Sequence, residues 1–213
     1  MKDLVLVGGG HSHVAVLKRF GMRPMPGVRL TLICRDVHTP YSGMLPGFIA
    51  GHYDYDAVHI DLGPLSRFAG ARFYHDEVIG IDLEKRSLCC RHRPDVSYDL
   101  LSINIGATPG FSQVSGADGV VVPVKPISNF VERWERLVAR VLDSGDIRRI
   151  GVVGAGAGGV EMLLAMQFRL RQLLHQAARP DTLEYHLFSG SQAILPTHNR
   201  HVQAQFRRVL TER

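Results

Sequence analysis

Cysteine is scarce in this sequence of 213 residues, which contains only Cys34, Cys89 and Cys90. The number is odd, and no two of them have the C-x-x-C spacing of a redox or zinc-binding pair. We therefore predict neither a disulfide framework, nor a zinc site, nor the dithiol of a disulfide reductase. Free thiols suit a reducing compartment, and the corresponding prediction is a cytoplasmic protein.

Long apolar runs are also missing. No uninterrupted stretch reaches the roughly 18 apolar residues of a membrane-spanning helix. The first apolar run, Leu4 to Val7, passes into glycines before the core of a signal peptide could form. We therefore predict no transmembrane segment. Basic residues exceed acidic ones by only 25 to 20, which is too small an imbalance to indicate a nucleic-acid partner.

The sequence lacks the motifs by which side chains carry out covalent chemistry themselves. It has no G-x-S-x-G motif, and no P-loop lysine follows its glycine-rich turns. Eleven histidines are present, but pairs such as His11 and His13 lack further ligands at the spacing of a metal site. No metal is predicted, and the chemistry is expected to belong to a bound cofactor.

Two units of strand, glycine turn and helix are present instead. Leu4 to Val7 leads through Gly8-Gly9-Gly10 into a helical pattern and then a second strand, Val28 to Cys34. Ile150 to Val153 leads in the same way into a helix that ends near Ala177, followed by another strand. This repeat predicts an α/β fold with two Rossmann-like, parallel-sheet dinucleotide domains.

The segments between these units complete the predicted organisation. Val78 to Leu83 and Ser87 to Arg91 read as an antiparallel β-hairpin insertion. Apolar residues at helical spacing from Phe130 to Val141 predict a connecting helix. The predicted domains are a first dinucleotide-binding unit over residues 1–122, a connecting helix over 123–147 and a second dinucleotide-binding unit over 148–213.

The first glycine turn has two of the three glycines of the G-x-G-x-x-G fingerprint. Gly8 permits a tight turn, and Gly10 lets a pyrophosphate approach the helix start, where free N–H groups favour an anion. His11 and Ser12 continue the turn and are further candidate ligands. His13 replaces the third glycine, which predicts a wider contact between helix and strand or a side chain turned aside. A glycine-rich turn without a ligand is the alternative.

The ribose-binding acid expected after the second strand is less clear. Cys34 and Arg35 occupy the place where an acid is expected, and Asp36 is either the ribose ligand or a solvated turn residue. The second turn is complete, with Gly154, Gly156 and Gly159. No carboxylate follows its second strand, and Arg200 is either a partner for the 2′-phosphate of NADP or, more simply, a surface arginine.

These features together resemble the pyridine nucleotide-disulfide oxidoreductase superfamily, in its NADH dehydrogenase-like branch. The matching stretches are Val5 to Gly10, Tyr98 to Ala107 and Gly154 to Glu161. The resemblance implies FAD on the first turn, with Gly106 in the second FAD motif and the main chain of Val78 at the adenine. It implies NADH or NADPH on the second turn, with Glu161 where nicotinamide meets flavin.

The implied activity is that of an FAD-dependent NAD(P)H oxidoreductase, which passes a hydride to flavin and on to a quinone or another small-molecule acceptor. The family's later segments, which complete both domains, have no counterpart before Arg213, so both domains are expected to be incomplete. Activity of this chain is left open. Exposed apolar sheet surface would then favour a homodimer.

A narrower resemblance comes from Gly8 to Val14 together with Thr39 to Gly47. These stretches are similar to the oxidoreductase found beside or fused to selenide, water dikinase. The resemblance implies that Ser42 and Pro46 lie near the flavin, and that selenide, water dikinase is a partner. The alternative function is a non-catalytic nucleotide-binding module or a redox sensor linked to selenophosphate synthesis.

Overall fold

The computed structural model describes residues 1–107, 110, 115–116, 119–143 and 147–213. Its strands, in chain order, are β1 (Lys2–Val7), β2 (Val28–Cys34), β3 (His38–Pro40), β4 (His59–Asp61), β5 (Arg72–His75), β6 (Val78–Asp82), β7 (Ser87–Cys90), β8 (Val96–Ser97), β9 (Leu100–Ile103), β10 (Arg149–Val153) and β11 (Glu184–Phe188). Its α-helices are α1 (His11–Met22), α2 (Leu45–Ile49), α3 (Tyr55–Val58), α4 (Leu62–Phe68), α5 (Ile127–Asp143), α6 (Ala157–Gln176) and α7 (Arg200–Glu212), and a short 3₁₀ helix covers Ser42–Met44.

The chain forms two compact units. The first contains residues 1–41 and 59–110, and the second contains residues 42–58 with the described part of 111–213. The segment 42–58, which the sequence assigns to the first domain, is therefore grouped with the second unit. The predicted boundaries after residues 122 and 147 stay predictions.

A parallel four-stranded sheet forms the centre of the first unit, in the order β5-β2-β1-β9. β1 pairs with β2 from Lys2↔Val28 to Val7↔Ile33 and with β9 from Leu4↔Leu100 to Val7↔Ile103. The central strands are apolar because both of their faces are covered. Leu6, Leu30 and Leu32 pack on the side of Leu17 in α1.

The other face of this sheet packs against an antiparallel sheet of β6, β7 and β8. Val5 and Ile33 form a buried cluster with Leu88 and Cys90 of β7. The predicted hairpin is therefore part of a three-stranded antiparallel sheet, with the turn at residues 83–86 between β6 and β7.

The second unit repeats the opening of the first. β10 and β11 pair in parallel from Arg149↔Glu184 to Val153↔Phe188. α6 carries a row of buried residues that includes Met162, Met166 and Leu170, and these pack with α5 and α2. α6 was predicted to end near Ala177 and ends at Gln176.

The predicted α/β fold with two Rossmann-like parallel sheets and an antiparallel insertion is confirmed. Residues 39–70 contain only short elements, as their irregular composition predicts, the longest being the seven residues of α4. Among the described residues, no helix has the length and apolar character needed to cross a membrane.

Candidate nucleotide-binding sites

The first glycine turn joins β1 to α1 at the carboxyl end of the parallel sheet. The N–H of Gly8 donates to the carbonyl of Ile33 in β2 at 2.8 Å, which draws the turn against the neighbouring strand. Gly8 has φ +91, a conformation that favours glycine. A Cβ on Gly8 would also meet the backbone of Asn104. The first glycine is therefore required both by conformation and by close approach.

Asn104, directly after β9, closes the same turn from the other side. Its carbonyl accepts from the N–H of Gly10 at 3.2 Å, and its own N–H donates to the carbonyl of Val7 at 2.8 Å. A Cβ on Gly10 would collide with the Asn104 side chain. Asn104 stands in the stretch assigned to the second FAD motif, but the sequence indicated no role for it.

His13 occupies the third glycine position, for which the sequence predicts either a wider contact between helix and strand or a side chain turned aside. Its side chain is not turned aside: it is 1% exposed. Nδ1 lies 2.7 Å from the carbonyl oxygen of Gly8, and Nε2 lies 2.9 Å from Oγ of Ser102 in β9. Of the two alternatives, the side chain turned aside is therefore not observed, because both ring nitrogens have partners beside the turn. The wider contact between helix and strand stays a prediction.

The neighbouring strand end, after β2, carries Cys34, Arg35 and Asp36. Cys34 is buried under the turn, and burial raises the pKa of its thiol although backbone N–H groups of Asp36 and Gly9 act in the opposite direction. A thiol that is buried and protonated is a packing group rather than a nucleophile. Asp36 is exposed and pairs with Arg35 at 3.2 Å, so its assignment to a ribose stays a prediction.

The second glycine turn, between β10 and α6, repeats the first and keeps all three glycines. The N–H of Gly154 donates to the carbonyl of Phe188 at 2.8 Å, as Gly8 does in the first unit. Gly154 has φ +110, and a Cβ on Gly154 or Gly156 would enter open space. A Cβ on Gly159 would collide with the carbonyl oxygen of Gly154. The third glycine is therefore required for close packing of helix and strand.

Both turns leave the start of their helix without a side-chain cap. Neither Gly10 before α1 nor Gly156 before α6 supplies a capping side chain, and no acidic residue stands in either first turn. By contrast, Asp61 caps α4 and Asn199 caps α7 through side-chain oxygens. Uncapped N–H groups at a helix start bind anions, and phosphate is the usual ligand after a glycine turn. Both turns therefore fit the diphosphate of a dinucleotide.

The remaining candidate residues fall into the two units separately. In the first, His11 and Ser12 are exposed at the start of α1. The ring centroids of His11 and Tyr41 lie 4.6 Å apart. Val78 packs on the buried cluster below β1, and Gly106 has φ +76. The ligand roles of His11, Ser12, Val78 and Gly106 stay predictions.

In the second unit, Glu161 is exposed one turn into α6. Ser42 is exposed in the 3₁₀ helix, and Pro46 is half-buried in α2. The predicted contact of Ser42 and Pro46 with flavin stays a prediction. Sequence reasoning also missed Leu195, whose N–H donates to the carbonyl of Ala155 at 2.7 Å and so holds the loop after β11 against the second turn.

Comparisons with known proteins agree with this architecture. The family model described as pyridine nucleotide-disulphide oxidoreductase matches residues 2–213. The NADH dehydrogenase-like protein YutJ of Bacillus subtilis (strain 168) is 26% identical over 167 residues, which are 76% of this chain and 44% of that protein.

Solved structures share the fold at lower identity. NDH2 of Plasmodium falciparum, solved in complex with NADH, has a TM-score of 0.85 at 16% identity, covering 99% of this chain and 46% of that one. The water-forming NADH oxidase of Lactobacillus brevis has a TM-score of 0.72 at 16% identity, covering 100% of this chain and 45% of that one. This chain therefore spans less than half the length of these relatives. It belongs to the pyridine nucleotide-disulphide oxidoreductase family.

Proposed function

We propose that this chain is the nucleotide-binding portion of an FAD-dependent NAD(P)H oxidoreductase. The first unit would hold FAD, and the second would hold NADH or NADPH. The observation that carries the proposal is the pair of glycine turns, each preceding a helix start without a side-chain cap. One dinucleotide turn alone would be a weak signal, but this chain has two. Membership of the family supports the same proposal.

The residues of the first unit would bind and orient the dinucleotide. Gly8 and Gly10 let its diphosphate approach the start of α1, where the helix dipole and free N–H groups favour the charge. Asp36 would accept hydrogen bonds from the ribose, and the main chain at Val78 would face the adenine. When bound, FAD would accept a hydride from reduced nicotinamide and pass the electrons to a small acceptor such as a quinone.

The second unit would bind the nicotinamide nucleotide in the same way at Gly154, Gly156 and Gly159. Glu161, exposed on α6, would lie beside the nicotinamide. Hydride transfer needs no acid or base from the protein, so the contribution of these residues is to hold the donor in place. No residue of this chain is assigned a proton-transfer role.

The proposal is tested by adding FAD to the purified protein, desalting it and recording the visible spectrum. We expect a retained flavin band that Gly8→Ala abolishes. Gly27→Ala is the matched control, because Gly27 also has a positive φ, +80, with open space around it. A colourless unsubstituted protein, or equal flavin content in both variants, would contradict the assignment. Reduction of a dye by NADH or NADPH then separates catalysis from binding.

A partnership with selenide, water dikinase is a further proposal. It is supported by the sequence similarity of Gly8 to Val14 and of Thr39 to Gly47 to the oxidoreductase found beside or fused to that enzyme. The alternative is a non-catalytic module or redox sensor linked to selenophosphate synthesis. The observation in its favour is that the loop after β11, Ser189-Gly190-Ser191, offers no carboxylate for a nicotinamide ribose. Flavin retention without dye reduction is the outcome expected for this alternative.

A further inference from the structure

The two glycine turns differ in the residue at the third glycine position. At the third glycine position of the second turn, a Cβ on Gly159 would collide with the carbonyl oxygen of Gly154. At the same position of the first turn, the imidazole Nδ1 of His13 lies 2.7 Å from the equivalent carbonyl, that of Gly8. The first turn thus has a side-chain hydrogen bond at the place where the second turn leaves no room for a side chain.

The acceptor sets the direction of both hydrogen bonds. A carbonyl oxygen only accepts, so Nδ1 of His13 carries the proton and donates to Gly8. In the neutral ring Nε2 then accepts, and the hydroxyl of Ser102 donates to it over 2.9 Å. The ring is 1% exposed, so water could not replace either partner without rearrangement.

These bonds connect segments that are far apart in sequence. Ser102 lies in β9, and His13 and Ser102 are 89 residues apart. The backbone bonds of Asn104 to Gly10 and Val7 connect the same turn to the end of β9. The turn is therefore held on both sides before any ligand binds, which lowers the cost of ordering it around a diphosphate.

We propose that His13 and Ser102 form a hydrogen-bonded clip that positions the Gly8–Gly10 turn for the diphosphate of FAD. His13 is a positioning residue, because it acts through the backbone of Gly8. This inference rests on the proposed assignment of FAD to the first unit. It adds that the missing third glycine is replaced by a specific pair, and that the pair sets the affinity for FAD.

The test compares FAD dissociation constants, from quenching of flavin fluorescence, with thermal midpoints of the apoprotein. His13→Phe keeps a buried ring but makes neither hydrogen bond, and we expect it to weaken FAD binding about tenfold or more. His13→Asn retains a donor near the place of Nδ1 and should bind FAD within about threefold of the unsubstituted protein. Ser102→Ala is the milder variant, should still fold, and should fall between the two.

Thr31→Val is the control for loss of a buried polar group, because Thr31 is 4% exposed in the same sheet and away from the turn. It should leave the dissociation constant unchanged, whatever its effect on the thermal midpoint. Unchanged FAD affinity in both His13→Phe and Ser102→Ala, with only a lower midpoint, would overturn the clip and leave the FAD assignment intact. Failure of the unsubstituted protein to bind FAD would overturn both proposals.

Discussion

At the scale of single residues, the glycines of the second turn differ in what a side chain would meet. Gly158 and Gly159 are adjacent in the first turn of α6, yet a Cβ on Gly158 enters open space while one on Gly159 collides with the carbonyl of Gly154. The G-x-G-x-x-G motif includes Gly159 but not Gly158, and the contacts of the two positions give the physical reason. The structure separates a glycine that is required from one that is replaceable.

Two alanine substitutions test this difference. Gly158→Ala should stabilise the protein by about 0.5–1 kcal/mol, because alanine loses less backbone entropy in a helix. Gly159→Ala should destabilise it by about 1–3 kcal/mol, because helix and strand must separate. Urea unfolding monitored by circular dichroism measures both. Similar changes in the two variants would contradict the assigned contact.

Gly156 offers a substitution that separates stability from binding. It is the N-cap of α6, has open space around its Cβ, and has φ −76, which any residue adopts. Gly156→Asp should cap the helix and add a few tenths of a kcal/mol of stability, since Asp is a preferred N-cap. The same carboxylate should repel a diphosphate.

The measured quantities are the affinities for NADH and NADPH, determined by nicotinamide fluorescence or by calorimetry. Gly156→Asp should reduce the affinity at least about tenfold. Gly156→Asn supplies a cap of the same shape without the charge and should reduce the nucleotide affinity less than Gly156→Asp does. Equal losses in the two variants would show that bulk rather than charge is responsible, and unchanged affinity in both would argue against a nucleotide at this turn.

At the scale of elements, the carboxyl ends of β1, β2, β5 and β9 lie side by side because all four strands are parallel. Open α/β sheets bind ligands at this edge. Asp76, directly after β5, is buried there and accepts hydrogen bonds from the backbone N–H of Glu77 at 2.7 Å and from Nδ1 of His92 at 3.0 Å. It thus joins the parallel sheet to the segment after β7.

The environment of Asp76 predicts a dependence of stability on pH. Burial raises its pKa, but the N–H of Glu77 and the contacts with His92 outweigh burial, so the net pKa lies below its ordinary value. A lowered folded-state pKa stabilises the protein above the unfolded value of about 4, and this contribution is lost as the pH falls through the lower folded-state value.

Asp76→Asn should therefore be less stable than the unsubstituted protein at pH 7, and the difference between them should shrink below about pH 4. Free energies of unfolding in urea at pH 7, 5 and 3 provide the test. A difference that stays constant across this range would mean that the carboxylate charge contributes nothing and that only packing was lost.

At the scale of the whole molecule, the relevant feature is the free edge of the first unit's sheet. Among the described strands, β9 is the last in the order β5-β2-β1-β9. Leu100, Ile103 and Ile105, in and just after β9, are 63%, 51% and 74% exposed. An exposed apolar edge strand is a template for pairing with another chain.

We expect this 213-residue chain to form a homodimer through that edge. Sedimentation velocity over a range of concentrations should show association that Leu100→Lys combined with Ile105→Lys reduces, because charge on an edge strand opposes pairing. Leu83→Lys is the control, since Leu83 is 77% exposed in the turn between β6 and β7. A monomeric unsubstituted chain, or equal effects of all variants, would contradict the prediction.

Local patterns were sufficient for much of this architecture. The apolar runs before Gly8 and Gly154 predicted the two parallel strands, and the repeat of strand, glycine turn and helix predicted the end of α6 to within one residue. These predictions are correct because the patterns that indicate a buried strand or a helix depend on residues close together in the chain. The short elements between residues 39 and 70 carry too few residues for such a pattern.

What the sequence by itself determined is the location and chemistry of the two turns, since positive φ at Gly8 and Gly154 and the uncapped helix starts depend on residues close in the chain. Only the tertiary structure decided what replaces the missing third glycine. The partner of His13 is Ser102, which is 89 residues away. Because that contact depends on the pairing of β9 with β1, two strands far apart in the chain, no local pattern could predict the hydrogen bond.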